Sequence, residues 1–292
     1  MEKVRKAIVP LAGLNLRMLP ASKVIPKEMF PVAGKPIIQY IVNEIEMAGF
    51  KEIIFITRPN DFFIQNYFDK KLNLNLAKGI RAKRIIIEDT NKTTKLHLSH
   101  KTVNQLSPKG LGHAVLTAKE VVDGEPFAVV LPDMLLKNSS KEKNLTLMKK
   151  FFDKKNISSI LFSEAEKKDL PNYGVAKFKK DSKFSSLGEI ESIIEKPTIK
   201  KAPSNLFISG RYVFSNEIFQ YLEKTVPDKN KEIQLTDAIN LYLAEKKIYG
   251  FRTNGKIYDC GDKLGYIIAN LEYSIEDKQI SKSLKYYLKK NV

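Results

Sequence analysis

The N-terminal part of the chain alternates between short apolar runs and an amphipathic stretch. Residues 7–11 and 53–57 are apolar runs of the length expected for buried strands. Between them, apolar residues recur at helical spacing over 38–45. A strand, a helix and a second strand in this order are typical of a parallel sheet. This alternation predicts an α/β fold.

The rest of the chain continues the alternation with a less regular pattern. Further strands are predicted at 85–87, 127–131, 158–162, 175–178, 190–194 and 207–214. Further helices are predicted at 62–68, 110–122, 218–224, 235–246 and 264–275. The polar segment 69–84 is the best candidate for a mobile segment outside the regular elements. We therefore expect one domain over 1–292, with a Rossmann-like, mixed, mostly parallel sheet flanked by helices.

The segment directly after the first strand, LAGLNLRMLPASKVIPKEMFPV at 11–32, has features of a phosphate-binding site. Gly13 permits the backbone to approach a phosphate closely. Arg17, Lys23 and Lys27 supply positive charge, since Arg can bind phosphate oxygens bidentately and Lys acts as a point charge. An ordinary surface loop can also combine a glycine with scattered lysines. The segment alone leaves both interpretations open.

The chain is strongly basic, with 50 Lys and Arg against 33 Asp and Glu and a net charge of +17. Such a charge fits a nucleic-acid partner, an acidic membrane or a lysine-rich composition. The lysines are spread throughout, Asn, Ile and Phe are also plentiful, and no recognition-helix or zinc-finger pattern is visible. We attribute the charge to composition and expect no nucleic-acid partner.

Cysteine usage and hydropathy bear on cellular location. The single cysteine, Cys260, excludes an intramolecular disulfide and a cysteine-based zinc site within one chain. The apolar stretch near the N-terminus is interrupted by Asn15 and Arg17, which argues against a signal peptide. No apolar run reaches about 18 residues, the length that suggests a membrane span. We therefore expect no membrane association and a cytoplasmic location.

The pattern AGxxxRMLPASKxIPKEMxPV at 12–32 closely resembles the nucleotide loop of bacterial UTP–glucose-1-phosphate uridylyltransferases, within the sugar-phosphate nucleotidyltransferase family. Further blocks follow in the order of that family along nearly the whole chain: KPIIQYIVNEI at 35–45, KGLGHAV at 109–115, VVLPD at 129–133, YGV at 173–175, IEKP at 194–197, APSNLFISGRY at 202–212, EIQLTDAI at 232–239 and YDCGDKLGY at 258–266. The resemblance implies the nucleotide-diphospho-sugar transferase fold, with a sugar-binding part at about 158–262 and a C-terminal helix over 263–292.

The resemblance also implies site residues. The nucleotide-binding residues would be Ala12, Gly13, Glu28, Gln105 and Gly110. The catalytic residues would be Arg17, Lys27, Asp133 and Lys196. The residues that bind the sugar phosphate would be Gly174, Glu195 and Lys196. The ligands of a Mg²⁺ cofactor would be Asp133 and Asp259.

Elementary chemistry is compatible with these assignments. Asp133 follows the predicted strand 127–131, and open α/β sheets bind ligands beyond the carboxyl ends of their strands. Mg²⁺ uses few protein carboxylates and completes its shell with phosphate and water. Gln105 offers the donor and the acceptor that uracil requires. Taken singly, an aspartate is often a cap, a glutamine a solvated side chain, and the pair Glu195 and Lys196 an exposed charge pair.

One part of the loop departs from the family pattern. The family usually has Gly-x-Gly-Thr-Arg, whereas this chain has Asn15 and Leu16 between Gly13 and Arg17. Asn is well suited to replace Gly at positive φ, so we expect Asn15 to keep the turn while its side chain crowds the phosphates. Leu16 removes a hydroxyl donor. The departure affects the expected rate more than the fold.

The resemblance implies that the chain converts UTP and glucose 1-phosphate to UDP-glucose and pyrophosphate, with Mg²⁺, as a homodimer or homotetramer. Two alternatives remain at this point. A thymidylyltransferase of the same family would share most of these residues. A non-catalytic homologue that binds nucleotide sugars would account for Asn15 and Leu16.

Overall fold

The computed structural model describes residues 3–73, 81–139, 142–179 and 186–291. The strands are β1 (Lys6–Pro10), β2 (Pro31–Val32), β3 (Lys35–Pro36), β4 (Glu52–Thr57), β5 (Ser99–Asn104), β6 (Phe127–Val130), β7 (Met134–Asn138), β8 (Ser158–Glu164), β9 (Gly174–Phe178), β10 (Leu187–Glu195), β11 (Leu206–Phe214), β12 (Ile248–Arg252) and β13 (Gly255–Asp259). The helices are α1 (Ile37–Met47), α2 (Phe63–Asp69), α3 (Arg81–Thr93), α4 (Gly110–Thr117), α5 (Lys119–Val122), α6 (Asn144–Lys155), α7 (Ile218–Lys224), α8 (Leu235–Leu243), α9 (Lys263–Ser274) and α10 (Ser281–Asn291). Short 3-10 helices lie at Leu16–Met18, Ala21–Lys23, Lys27–Met29 and Leu170–Asn172.

The main sheet of the described residues has nine strands in the order β5-β4-β1-β6-β11-β8-β12-β10-β9. Parallel pairing joins β5, β4, β1 and β6, and also joins β8 to β12. The remaining neighbours pair antiparallel. The α/β class and the mixed sheet are confirmed, and parallel pairing prevails in the half of the sheet built from the first strands.

The sheet is covered by apolar side chains on both faces. Successive residues of β1 enter different clusters, because side chains alternate across a strand. Ala7 and Val9 pack in a cluster with side chains of α1 and α6, whereas Ile8 packs with side chains of α4, α7 and α8. Helices on both faces explain why the central strands are continuously apolar. Within the described part of the chain, none of the helices has both the length and the hydrophobicity needed to cross a bilayer.

The predicted strand at 85–87 is wrong, because these residues lie within helix α3. Ile85 and Ile86 are 49% and 64% exposed, and an ion pair one helical turn apart, Arg84 to Glu88, flanks them. Three apolar residues are too few to distinguish a strand from a helix. The next strand of the sheet is β5, whose polar sequence SHKTVN at the sheet edge shows no strand pattern.

Other elements differ from the sequence-based expectation. The C-terminal segment 263–292 holds two helices, α9 and α10, where one helix was predicted. Strands β7, β12 and β13 and helix α6 were not predicted. Within the polar segment 69–84, residues 74–80 lie outside the described residues.

A small ribbon formed by β7 and β13 connects two distant parts of the chain. The two strands pair antiparallel, with Asp259 opposite Met134. The backbone N–H of Cys260 then donates to the carbonyl oxygen of Asp133 at 2.7 Å. The ribbon therefore brings Asp133 and Asp259 together although they are far apart in the sequence.

A buried ion pair supports the end of β6. Arg211 on β11 is fully buried, and its Nη2 and Nε lie 2.6 and 3.1 Å from the two carboxylate oxygens of Glu44 on α1. Its Nη1 also faces the carbonyl oxygens of Leu131 and Ser209 at 3.5 and 3.4 Å. The pair thus joins α1, β11 and the residue that follows β6.

We expect Glu44→Gln to lower the free energy of unfolding by about 3 kcal/mol, because it leaves the guanidinium of Arg211 buried without its counter-charge. Urea denaturation followed by circular dichroism measures the change. Glu223→Gln is the control, because Glu223 pairs with Lys119 at an exposed site, and its effect should stay below about 1 kcal/mol. Equal effects of the two substitutions would contradict the role given to the buried pair.

Candidate active site

The predicted site residues gather at one edge of the sheet. Strands β1, β4, β5 and β6 run parallel, so their carboxyl ends meet at the same edge. Ala12 and Gly13 follow β1, Gln105 follows β5 and Asp133 follows β6. This is the edge at which open α/β sheets bind ligands.

Two adjoining cavities open at this edge. The first has a volume of about 390 Å³, and the predicted residues that line it are Ala12, Gly13, Lys27, Glu28, Gln105, Gly110 and Asp133. The second has a volume of about 420 Å³, and the predicted residues that line it are Arg17, Asp133, Gly174, Glu195, Lys196 and Asp259. Every predicted site residue therefore lines at least one cavity, and Asp133 lines both. Lys23 is exposed and lines neither.

Asp133 and Asp259 face one small space beside Gly261. A Cβ atom placed on Gly261 would lie 2.9 Å from Oδ2 of Asp133, 2.8 Å from Oδ1 of Asp259 and 2.7 Å from Nη2 of Arg17. Two carboxylate oxygens around one point suit a divalent cation that takes its remaining ligands from phosphate and water. Among the described residues, no group of three or more His, Cys, Asp and Glu is placed to hold a metal. The pair of aspartates can therefore supply two carboxylate ligands to a divalent cation whose other ligands come from phosphate and water.

Two cations balance the two aspartates. Lys27 Nζ lies 2.6 Å from Oδ2 of Asp133, and Arg17 Nη1 lies 3.5 Å from Oδ2 of Asp259. Burial alone would raise the pKa of Asp133, but Lys27 outweighs burial and lowers it. Burial and the charge of Asp133 together raise the pKa of Asp259 above its usual range. The site thus concentrates negative charge that added positive charge would stabilise.

Glu28 adds a buried carboxyl group to the first cavity. It is 2% exposed, and within the described residues its Oε2 has no hydrogen-bond partner. Burial raises its pKa from 4.5 to about 7, although the neighbouring Lys27 opposes the shift. Near neutral pH, Glu28 therefore exists in both protonation states and can donate or accept a hydrogen bond.

The far end of the first cavity holds a fixed amide. Nε2 of Gln105 lies 3.2 Å from the carbonyl oxygen of Gly110 and 2.9 Å from Nδ1 of His113. Burial lowers the pKa of His113, which favours the neutral ring, in which Nδ1 can accept from the amide. Gly110 has φ 91, and a Cβ there would lie 2.8 Å from the carbonyl oxygen of Ile233. Gln105 is thus held in place by the start of α4.

In the second cavity, Gly174 begins β9 and pairs with Glu195 at the end of β10. A Cβ on Gly174 would lie 2.9 Å from Cδ1 of Ile208 and 3.2 Å from Oε2 of Glu195, so a larger residue would push into the carboxylate. Thr236 Oγ1 donates to the same oxygen of Glu195 at 3.0 Å. Lys196 takes a positive φ of 44, and its backbone N–H donates to the carbonyl oxygen of Tyr173 at 3.0 Å.

Sequence reasoning gave no role to Tyr173 or Thr236, although both lie in the quoted blocks YGV and EIQLTDAI. The Tyr173 hydroxyl donates to Oδ2 of Asp259 at 3.2 Å, and its ring packs on Phe207 with centroids 4.5 Å apart. Tyr173 and Asp259 also line a larger neighbouring cavity of about 840 Å³. Both residues hydrogen-bond a neighbouring carboxylate. The sequence signal for Tyr173 is its position next to Gly174, and for Thr236 it is only its position within the block EIQLTDAI.

The loop between Gly13 and Arg17 forms the turn expected of it. Asn15 has φ 57 and ψ 31, the left-handed conformation that a glycine would also adopt. Its carbonyl oxygen accepts hydrogen bonds from the backbone N–H of Met18 at 3.1 Å and from Oγ of Ser22 at 2.8 Å. Leu16 is 65% exposed. The substitutions in this loop therefore leave its backbone turn intact.

The raised pKa of Glu28 predicts a pH-dependent stability. The folded state keeps the proton up to about pH 7, whereas the unfolded state releases it near 4.5. The wild type therefore loses stability as the pH rises through this window, by up to about 3 kcal/mol, whereas Glu28→Gln does not. We expect the variant to gain stability relative to the wild type between about pH 5 and about pH 8 in urea denaturation. The same comparison with Glu223→Gln should show no such gain; a pH-independent difference for Glu28→Gln would disprove the raised pKa.

Comparison with known proteins identifies the family of the chain. The chain matches the sequence profile of the nucleotidyl transferase family over residues 6–275. It is 42% identical over 288 residues to a UTP–glucose-1-phosphate uridylyltransferase of Haemophilus ducreyi, covering 97% of this chain and 98% of the relative. The solved structure of a UTP-bound UGPase from Acinetobacter baumannii has a TM-score of 0.88 and 36% identity, covering 99% of this chain and 100% of that one. A UDP-glucose pyrophosphorylase complexed with UDP-glucose has a TM-score of 0.81 and 36% identity, covering 92% of this chain and 98% of that one. The chain belongs to the nucleotidyl transferase family.

Proposed function

We propose that the chain is a Mg²⁺-dependent UTP–glucose-1-phosphate uridylyltransferase. The observation that carries this proposal is the position of Asp133, which lines both cavities and faces Asp259. A transfer between two phosphorylated substrates brings two polyanions together, so two adjoining cavities that meet at carboxylates able to hold a divalent cation suit such a reaction. The names of the relative at 42% identity and of the structures at 36% identity support the choice of UTP and glucose.

In this proposal UTP occupies the first cavity. Gln105 and the backbone of Gly110 hydrogen-bond the uracil, since the amide presents both a donor and an acceptor. Ala12 and Gly13 offer close backbone approach, and Glu28 can hydrogen-bond a hydroxyl group. Arg17 and Lys27 bind the triphosphate.

Glucose 1-phosphate occupies the second cavity. Glu195, oriented by Thr236, accepts hydrogen bonds from sugar hydroxyls, and Gly174 lets the sugar approach the backbone. Lys196, whose side chain is 61% exposed, binds the phosphate of the sugar. These residues fall in the proposed sugar-binding part at 158–262 of a single domain.

The reaction is an in-line displacement at the α-phosphorus of UTP. A phosphate oxygen of glucose 1-phosphate forms a bond to that phosphorus, while the bond from the α-phosphorus to the bridging oxygen breaks. Pyrophosphate leaves with the electron pair of the broken bond, and UDP-glucose remains. No covalent bond to the protein forms, so catalysis consists of positioning and charge stabilisation.

The chain's own groups supply much of that stabilisation. Mg²⁺ held by Asp133 and Asp259 would neutralise the charge on the oxygens of the transferred group. Lys27 and Arg17 pair with these two aspartates in this structure, so cation binding would make their charges available to the triphosphate. Lys196 offsets the repulsion between the sugar phosphate and the triphosphate.

Assembly and location complete the proposal. The family resemblance favours a homodimer or homotetramer. The expected site of action is the cytoplasm.

The first test is release of pyrophosphate by the purified chain with Mg²⁺, UTP and glucose 1-phosphate. We expect release with this pair and at least about tenfold less with dTTP or with galactose 1-phosphate, because a selective site rejects a misfit group by about that factor. A colorimetric assay of phosphate, coupled through inorganic pyrophosphatase, measures the rate. Rates with dTTP that equal or exceed those with UTP would favour the thymidylyltransferase alternative, because dTTP differs from UTP by the methyl group of the base and by the missing 2′-hydroxyl.

Asn15 and Leu16 favour a second candidate, a homologue that binds nucleotide sugars without turnover. It predicts UDP-glucose binding by calorimetry with no release of pyrophosphate. In that case the double substitution Asn15→Gly and Leu16→Thr should raise activity sharply.

Lys196→Ala tests the sugar-phosphate role. We expect KM for glucose 1-phosphate to rise about tenfold or more, because a charge-assisted contact to phosphate is lost, with KM for UTP unchanged. Steady-state kinetics with each substrate varied in turn measures both constants. Lys200→Ala removes an exposed lysine from the same segment and should change neither. A rise in both KM values for Lys196→Ala would argue against a specific phosphate contact.

A further inference from the structure

Asn15 is partly buried, and the two polar atoms of its side-chain amide have no hydrogen-bond partner among the described residues. Both atoms, Oδ1 and Nδ2, are shielded from solvent. Buried side-chain amides in folded proteins are nearly always paired, because an unpaired donor or acceptor costs free energy. The described part of the fold therefore provides no hydrogen-bond partner for this amide, and a bound ligand could provide one.

The amide lies in the wall of the first cavity. Asn15 lines that cavity together with Gly13 and Lys27. A Cβ placed on Gly13 would lie 3.5 Å from Oδ1 of Asn15, so the amide stands beside the bare backbone of Gly13. Arg17, two residues further on, already lines the second cavity. Asn15 thus lines the first cavity between Gly13 and Arg17, in the loop where the phosphates are proposed to bind.

The position of Asn15 is fixed by its backbone and not by its side chain. Its carbonyl oxygen accepts two hydrogen bonds, from Met18 and from the buried Ser22. Leu14 and Leu16 on either side are 52% and 65% exposed and offer no polar group. Between Gly13 and Arg17, the amide of Asn15 is therefore the one side-chain donor that the loop presents.

We propose that Asn15 is a phosphate-binding residue that helps to set the affinity for the nucleoside triphosphate. Phosphate oxygens accept hydrogen bonds only, so Nδ2 of Asn15 is the matching donor. Lys27 lines the same cavity, so Asn15 would add a neutral donor to the positive charge that Lys27 supplies. Because the occupant is taken to be a nucleoside triphosphate, this assignment rests on the proposed function. It reverses the expectation that Asn15 crowds the phosphates.

Two substitutions at Asn15 test the assignment without disturbing the left-handed turn. Asn15→Gly removes the amide, and Gly accepts positive φ. Asn15→Asp keeps the shape and replaces the donor by a negative charge. We expect the Kd for UTP to rise about threefold to tenfold for Asn15→Gly and more than about tenfold for Asn15→Asp. Isothermal titration calorimetry with UTP and Mg²⁺, without the sugar phosphate, measures both.

Uridine is the matched ligand control, because it has the base and ribose but no phosphate. Its affinity, followed by NMR titration, should be the same for the wild type and for both variants. Asn156→Asp is the matched protein control. Asn156 also has a positive φ, of 55, and is exposed at the end of α6, so this substitution adds the same negative charge away from the cavity. Its Kd for UTP should equal that of the wild type, and thermal melting of each variant verifies the fold.

Tighter or unchanged binding of UTP by Asn15→Gly would overturn the assignment, and tighter binding would show that the side chain obstructs. A parallel loss of uridine affinity would also overturn it, because a general distortion of the loop would then explain the result. Pyrophosphate release by the wild type is measured on the same preparation. If the wild type releases pyrophosphate and Asn15→Gly binds UTP with the wild-type Kd, the proposed function stands and only the role given to Asn15 is wrong. If the wild type does not bind UTP, both fall.

Discussion

Two buried carboxylates of like charge, Asp133 and Asp259, form the constraint on which the rest of the site depends. Burial and the charge of Asp133 raise the pKa of Asp259, while Lys27 and Arg17 lie beside the two carboxylates and offset their repulsion. The backbone pairing of β7 with β13 keeps the two aspartates close together, and this pairing does not depend on side-chain mobility. The neighbouring cavities, the cations and the hydroxyl of Tyr173 are all arranged around this pair.

Local pattern was sufficient wherever an element buries a regular apolar face. The strands at 7–11 and 53–57 and the helix between them are present as β1, β4 and α1, because each presents apolar residues at the spacing of its own structure. The pattern failed at 85–87, where three isoleucines lie on a helix, and at β5, where an edge strand carries polar residues. A short apolar run or a polar edge strand does not show from its own sequence whether another segment of the chain will pack against it.

In the candidate site, too, one part could be predicted from the sequence and another could not. The residues assigned from the family resemblance all line at least one of the two cavities in the structure, but the pairings between distant segments could not be predicted. The ribbon that joins Asp133 to Asp259 depends on the register of two strands more than a hundred residues apart. The contact of Thr236 with Glu195 depends likewise on the packing of α8 against β10. The raised pKa of Glu28 follows from burial, which a sequence does not reveal for an acidic residue in a short 3-10 helix.

The ion pair of Arg211 with Glu44 has a consequence for how this molecule can be divided. The parallel strands of the first half look like a self-contained nucleotide-binding module, yet the guanidinium that supports the end of β6 comes from β11. Asp259 comes from a still later segment. A fragment ending before β11 would bury Glu44 without its counter-charge and would lack one of the paired aspartates. The candidate site is therefore complete only in the whole fold, because its supporting contacts join segments far apart in the sequence.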